Sequence, residues 1–182
     1  MKPLYASLAC SIVVTACGGG GGGDGTDAAP IAAGVLVINE IMPSNTTACA
    51  DPFGEFDDWI ELYNAGDVDL DLGGYYVTDD LRQPTKVILP AGLIVPAHGW
   101  KLLWADDQVQ GLDHLSFKLD AKGEDFAIAA PDGTQLDMIT FGASTTDVSL
   151  ARFPDGTGAF AACATSTCGA ANGPACGAAA SR

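Results

Sequence analysis

GEFDDWIELYNAG, residues 54–66, is the stretch that decides the fold. Glu55, Asp57, Asp58 and Glu61 surround Trp59, Ile60, Leu62 and Tyr63. Successive side chains of a β-strand point to opposite faces. Asp58, Ile60, Leu62 and Asn64 then share one face, and Trp59, Glu61 and Tyr63 share the other. Ile60 and Leu62 are the natural core pair. Glu61 lies between two aromatics on the face assigned outward. This is the pattern of a half-buried strand.

The same texture runs in both directions. VLVINEIM (35–42), GYYVTD (74–79), KVIL (86–89), WKLLWA (100–105), LSFKL (115–119), DFAIAA (125–130), QLDMITFG (135–142) and VSLARF (148–153) are short apolar runs. They are rich in β-branched and aromatic residues and return at intervals of about ten. Turn residues separate them. Pro131-Asp132-Gly133 is one such turn, where Pro presets φ and Gly accepts positive φ. No segment holds a 3.6-residue period with caps, so almost no helix is expected. Many short strands with regular turns predict an all-β sandwich or barrel.

The flanking segments read differently. MKPLYASLACSIVVTAC carries a single cation, Lys2, before an uncharged apolar run. That run is shorter than the ~20 residues of a spanning helix and fits a signal-peptide core. Val14-Thr15-Ala16-Cys17 resembles a bacterial lipobox, which makes Cys17 the expected lipid site and residues 1–16 the signal. Cys10 fits worse, because Ser7 stands where an aliphatic residue is preferred. Residues 17–34 are then a lipidated cysteine with a Gly-rich linker. Residues 18–34 as a flexible coil span about 20–25 Å. The glycines are no phosphate loop, since no Lys-Ser/Thr follows them.

Of six cysteines, Cys49, Cys163, Cys168 and Cys176 remain after the signal and the lipid site. An even number suits two disulfides in an oxidising compartment. Four cysteines allow three connectivities, and the sequence leaves the choice open. If all four pair, at least one tail cysteine reaches Cys49. The expected location is the bacterial cell envelope, at the outer rather than the inner membrane, since Gly18 stands where an Asp would signal inner-membrane retention.

Composition narrows the function. Acids outnumber bases 23 to 8 across 182 residues. Such a surface repels phosphate backbones, and the bases are scattered, so no nucleic-acid partner is expected. The order and spacing of the motifs INE, WIELYN, GYYVTDD with PTK, IVPA before WKLLWADD, and GEDFAIAAPDG resemble the lamin tail domain in its bacterial form. The resemblance covers residues 35–155 and implies an immunoglobulin-like β-sandwich without catalysis, serving as an interaction module. Residues 156–182 depart from that family's simpler ending by adding cysteines. They read as a coil stapled back to the Cys49 loop.

Several site readings follow from the residues. Glu40, Asp51, Glu55, Asp57 and Asp58 form a candidate cation site, because like charges in one loop repel unless bridged. No cofactor is implied, and calcium is the ion an oxygen-rich loop suits. Trp59, Glu61 and Tyr63 form a candidate contact patch for an envelope protein or a polysaccharide. The alternatives are a small carboxylate-dependent hydrolase acting on glycans, through Glu40 or Asp58, and a calcium-dependent adhesion module. His98 reads as an exposed turn residue and His114 as a loop residue. No nucleophile motif accompanies either.

Overall fold

A computed structural model describes residues 31–176, apart from residues 33 and 109. The signal peptide, the lipid site Cys17 and most of the linker lie outside the described residues. Twelve strands follow in order. They are β1 (Leu36–Met42), β2 (Asp58–Asn64), β3 (Leu70–Asp71), β4 (Tyr76–Thr78), β5 (Val87–Ile88) and β6 (Ile94–Val95). Then come β7 (Trp100–Ala105), β8 (His114–Leu115), β9 (Asp125–Ala129), β10 (Gln135–Thr140), β11 (Ser149–Arg152) and β12 (Phe160–Cys163). The sole helical element among the described residues is a 3-10 turn, Pro174–Cys176.

A six-stranded sheet runs β12-β11-β1-β2-β7-β8, and a four-stranded sheet runs β10-β9-β4-β5. A short pair, β3-β6, lies beside them. Ile38, Ile60, Leu62 and Leu103 from the larger sheet pack with Phe126 and Ile128 from the smaller one in a single core. Ile60 and Leu62 are fully buried there, as their alternation requires. The immunoglobulin-like sandwich is therefore the fold.

Alternation fails at one place on β1, and the failure shapes the rest. Ile38 pairs with Leu62 and Glu40 with Glu61, with a register shift between Ile38 and Glu40. A bulge inserts one extra residue and lets two neighbours face the same side. Asn39 and Glu40 thus both leave the core, while Leu36, Ile38 and Ile41 stay in it. The backbone groups freed at the bulge find side chains. Ile38 N donates to Asp137 Oδ2 at 2.9 Å, and Arg152 Nε donates to Ile38 O at 2.8 Å.

LSFKL was expected to be a strand throughout, but only Leu115, in β8, joins a ladder, parallel to β7, and Lys118 makes a single antiparallel bridge to Asp106. Leu115, Phe117 and Leu119 are nonetheless all buried. Their alternation reports burial more than continuous pairing. A second difference is at the C-terminus. The tail expected as coil from residue 156 supplies β12, which pairs with β11 along Ser149↔Cys163 to Arg152↔Phe160. The packed structure therefore runs past residue 155.

Candidate functional site

The outer face of the six-stranded sheet is covered by the tail. Disulfides join Cys49 to Cys168 and Cys163 to Cys176. Met42, Trp59 and Trp104 form a buried cluster beneath the first bridge. Trp59 is 0% exposed and Glu61 is 0% exposed. The expected contact patch of Trp59, Glu61 and Tyr63 is therefore no surface. Tyr63 is half-buried, tilted against Trp100 at 5.4 Å, with Gly156 close against its ring. The strand faces were assigned correctly, but the outward face is roofed.

Beneath that roof two carboxylates stand opposite each other. Glu61 Oε1 accepts from Asn39 Nδ2 at 2.9 Å and its Oε2 from Gly169 N at 2.7 Å. Glu40 accepts from the Ser149 hydroxyl and, at 2.7 Å, from the Thr167 hydroxyl. Burial pushes the Glu61 carboxyl up to about 8, against the hydrogen bond from Asn39, and the neighbouring Glu40 adds to the rise. Burial also raises Glu40. Asn172 closes the other side, donating to Arg152 O at 3.0 Å. These carboxylates hold the tail down and face no cleft.

The second place of interest is one end of the same sheet, where β2 begins, β7 ends and β8 runs alongside. DPFGE (51–55) is a tight loop. Asp51 Oδ1 accepts from Phe53 N at 2.9 Å and Glu55 N at 2.7 Å, and Asp51 N donates to Glu55 O at 2.8 Å. Gly54 has φ of 87°, a left-handed conformation that costs glycine little. The loop brings carboxylate oxygens of Asp51, Glu55 and Asp57 within 4.8 Å of one another. Desolvation raises the Asp57 carboxyl, and the charges of Asp106, Glu55 and Asp51 add to it.

Of the expected cation ligands, the structure brings these three together and separates the other two. Glu40 is sealed under the tail. Asp58 Oδ1 accepts from Asn45 N at 3.0 Å and organises the preceding loop. His114 lies against Asp51 instead. Its Nδ1 bonds to Asp106 Oδ2, and its Nε2 lies 3.8 Å from Asp51 Oδ2. The side chains of His114, Asp51 and Asp106 are fully buried. His98, by contrast, is an exposed turn residue beside Asp67, 2.9 Å away.

Residues 29–143 match the family model described as Lamin Tail Domain. The chain belongs to the lamin tail domain family. No curated protein matches it. The family's module is immunoglobulin-like and generally non-enzymatic. The division of the chain by that match is informative. Asp51, Glu55, Asp57, Asp106 and His114 lie inside the matched lamin tail domain. β11, β12 and the cysteines Cys163, Cys168 and Cys176 lie beyond it.

Sequence reasoning missed Asp106 and His114 as partners and Phe53 and Phe56 as surface. Both phenylalanines are exposed, at 59% and 45%, on the loop that carries the acids. The signal for them was present in DPFGEFDD, where two aromatics alternate with turn and acidic residues outside any strand.

Proposed function

We propose that this chain is a non-catalytic, lipid-anchored protein of the bacterial cell envelope, and that its lamin tail domain is an interaction module displayed on a Gly-rich tether. The partner is an envelope protein or a polysaccharide, met through the 51–57 loop with Phe53 and Phe56 as contacts. The lipobox-like Val14-Thr15-Ala16-Cys17 supports the anchor, and two disulfides suit an oxidising compartment.

The observation that carries this reading is the state of the carboxylates a hydrolase would need. Glycosidase chemistry requires two carboxyls flanking a substrate cleft. Glu40 is fully buried with both oxygens bonded, and Asp58 is committed to Asn45. A surface hollow of about 140 Å³ is lined by Thr78, Leu81, Pro84, Ala127 and Gln135, with no titratable side chain. Exposed aromatics on a loop that follows a disulfide-bonded cysteine instead suit binding, since such rings bury large area at little conformational cost.

Affinity capture from envelope extract tests the proposal, using the chain as bait beside its Phe53→Ala, Phe56→Ala double variant. A discrete partner retained by the first and lost by the second supports it. Capture indifferent to both phenylalanines, or glycan turnover abolished by Asp58→Asn, contradicts it.

A further inference from the structure

The acidic end of the sheet carries more than repulsion. Among the described residues, six buried side-chain polar atoms have no hydrogen-bond partner: the indole N–H groups of Trp59 and Trp100 and, at this end, Asp51 Oδ2, Asp57 Oδ2, Gln110 Oε1 and His114 Nε2. Buried polar atoms are ordinarily paired, so each unpaired one calls for a reason. The carboxylate and amide oxygens at this end accept. His114 Nδ1 is committed to Asp106 Oδ2, which leaves Nε2 as the ring nitrogen open to a ligand. At 3.8 Å, Nε2 is beyond hydrogen-bond reach of Asp51 Oδ2. Acceptors converging without a donor are what a cation satisfies.

We propose that Asp51, Glu55, Asp57 and His114 form a binding site for a divalent transition ion of the zinc class, with Asp106 as the residue that positions the imidazole. The donor set decides the class. A purely oxygen-lined loop suits calcium, as the acidic sequence suggested. An imidazole nitrogen beside carboxylates suits zinc and its neighbours instead. The Asp106–His114 contact is the carboxylate–histidine arrangement that fixes ring orientation and tautomer at metal sites. Oxygens of Asp51, Glu55 and Asp57 lie within 4.8 Å of one another, and Nε2 approaches this group at Asp51, 3.8 Å away, so the loop must close toward His114 to bring all four onto one ion. Gln110 steadies the exposed ligand, donating from Nε2 to Glu55 Oε2 at 2.9 Å. Around the site Phe53 packs edge-on to the imidazole at 5.7 Å and Trp104 stacks at 6.5 Å, which limits water. The site sits on the loop that displays Phe53 and Phe56, so a bound ion would stiffen that loop.

The test uses the purified full chain, stripped with EDTA and titrated calorimetrically with Zn²⁺ and, separately, Ca²⁺. One Zn²⁺ should bind per chain, at least about tenfold more tightly than Ca²⁺. On Zn²⁺ addition the His114 ring nitrogen resonances should shift while those of His98 stay fixed. Glu55→Gln, at an exposed position that leaves the fold intact, should weaken Zn²⁺ about tenfold or more, and Asp106→Asn by about 10–100-fold. A site filled by water alone would show no stoichiometric binding of either ion, which overturns the proposal. Ca²⁺ binding as tight as Zn²⁺ with unmoved His114 resonances overturns it as well.

Discussion

The inner face of the six-stranded sheet is covered by the opposing sheet, and its outer face by the chain's own tail. The inner face is aliphatic and aromatic at its centre, with Leu36, Ile38, Ile60, Leu62 and Leu103 meeting Phe126 and Ile128. The outer face buries Trp59 and Trp104 together with Glu40, Glu61 and Asn39. One cover is built from ladder strands and hydrophobic contact. The other is built from the segment that follows β12, two disulfides and hydrogen bonds to buried carboxylates. The comparison teaches that a polar strand face need not be a wet one. It can be the seat of a later segment.

The inner face should be the more costly to damage. Phe126→Ala removes a fully buried ring and should destabilise the protein by about 3–5 kcal/mol, read from chemical denaturation. A loss below ~1 kcal/mol would mean the two sheets do not share a tight core.

The outer face should loosen without global unfolding. Replacing Cys49 and Cys168 by Ser opens a loop of sequence separation 119 and should cost about 2–4 kcal/mol. Trp59 and Trp104 pack against that bridge, so their fluorescence should shift to the red while β-sheet circular dichroism persists. Unchanged emission would show that the tail stays seated without its bridge.

Charge separates the two faces further. The folded Glu61 carboxyl titrates near 8, above its ordinary value of 4.5. The folded protein keeps a proton there that the unfolded chain releases. The stabilising contribution is fully present below about pH 4.5 and is lost as pH rises through 8. Glu40 is shifted in the same direction. Unfolding free energy should therefore fall by on the order of 2 kcal/mol between pH 5 and 8, and Glu61→Gln should flatten that slope. Asp147 works in the opposite sense and a different window. Its carboxylate is held below the usual range by Thr47 and Thr46, so its effect is lost only in acid. A flat profile in the native chain would mean the tail admits water to Glu61.

The smallest stability effect belongs to the exposed loop. Phe53→Ala with Phe56→Ala should change stability by no more than about 0.5 kcal/mol, because neither ring is core. A larger loss would make the loop structural and weaken its role as a contact surface.

How much of this was legible follows the same division. Ile60 and Leu62 were readable because period-two alternation encodes a core face locally. The family pattern gave the sandwich from motif order. The bulge was not readable, since nothing in INE marks Asn39 as the extra residue. Trp59 and Tyr63 were placed on the correct face, but their burial draws on residues 156–176, more than ninety positions away. The cysteine count required a bridge to Cys49 without choosing Cys168, because connectivity is fixed by the folded tail. The acidic loop announced Asp51, Glu55 and Asp57 by proximity in sequence. His114 and Asp106 reached it only through the parallel pairing of β7 with β8.

The tail is part of the fold and seals the outer face. The amide of Gly169 reports this most directly, because its sole assigned acceptor is the buried Glu61 carboxyl, at 2.7 Å. Hydrogen exchange by NMR, in the oxidised protein near neutral pH, should find this amide strongly protected, approaching the strand amides of β11. Exchange at the rate of an unstructured peptide would leave the tail undocked and the account contradicted.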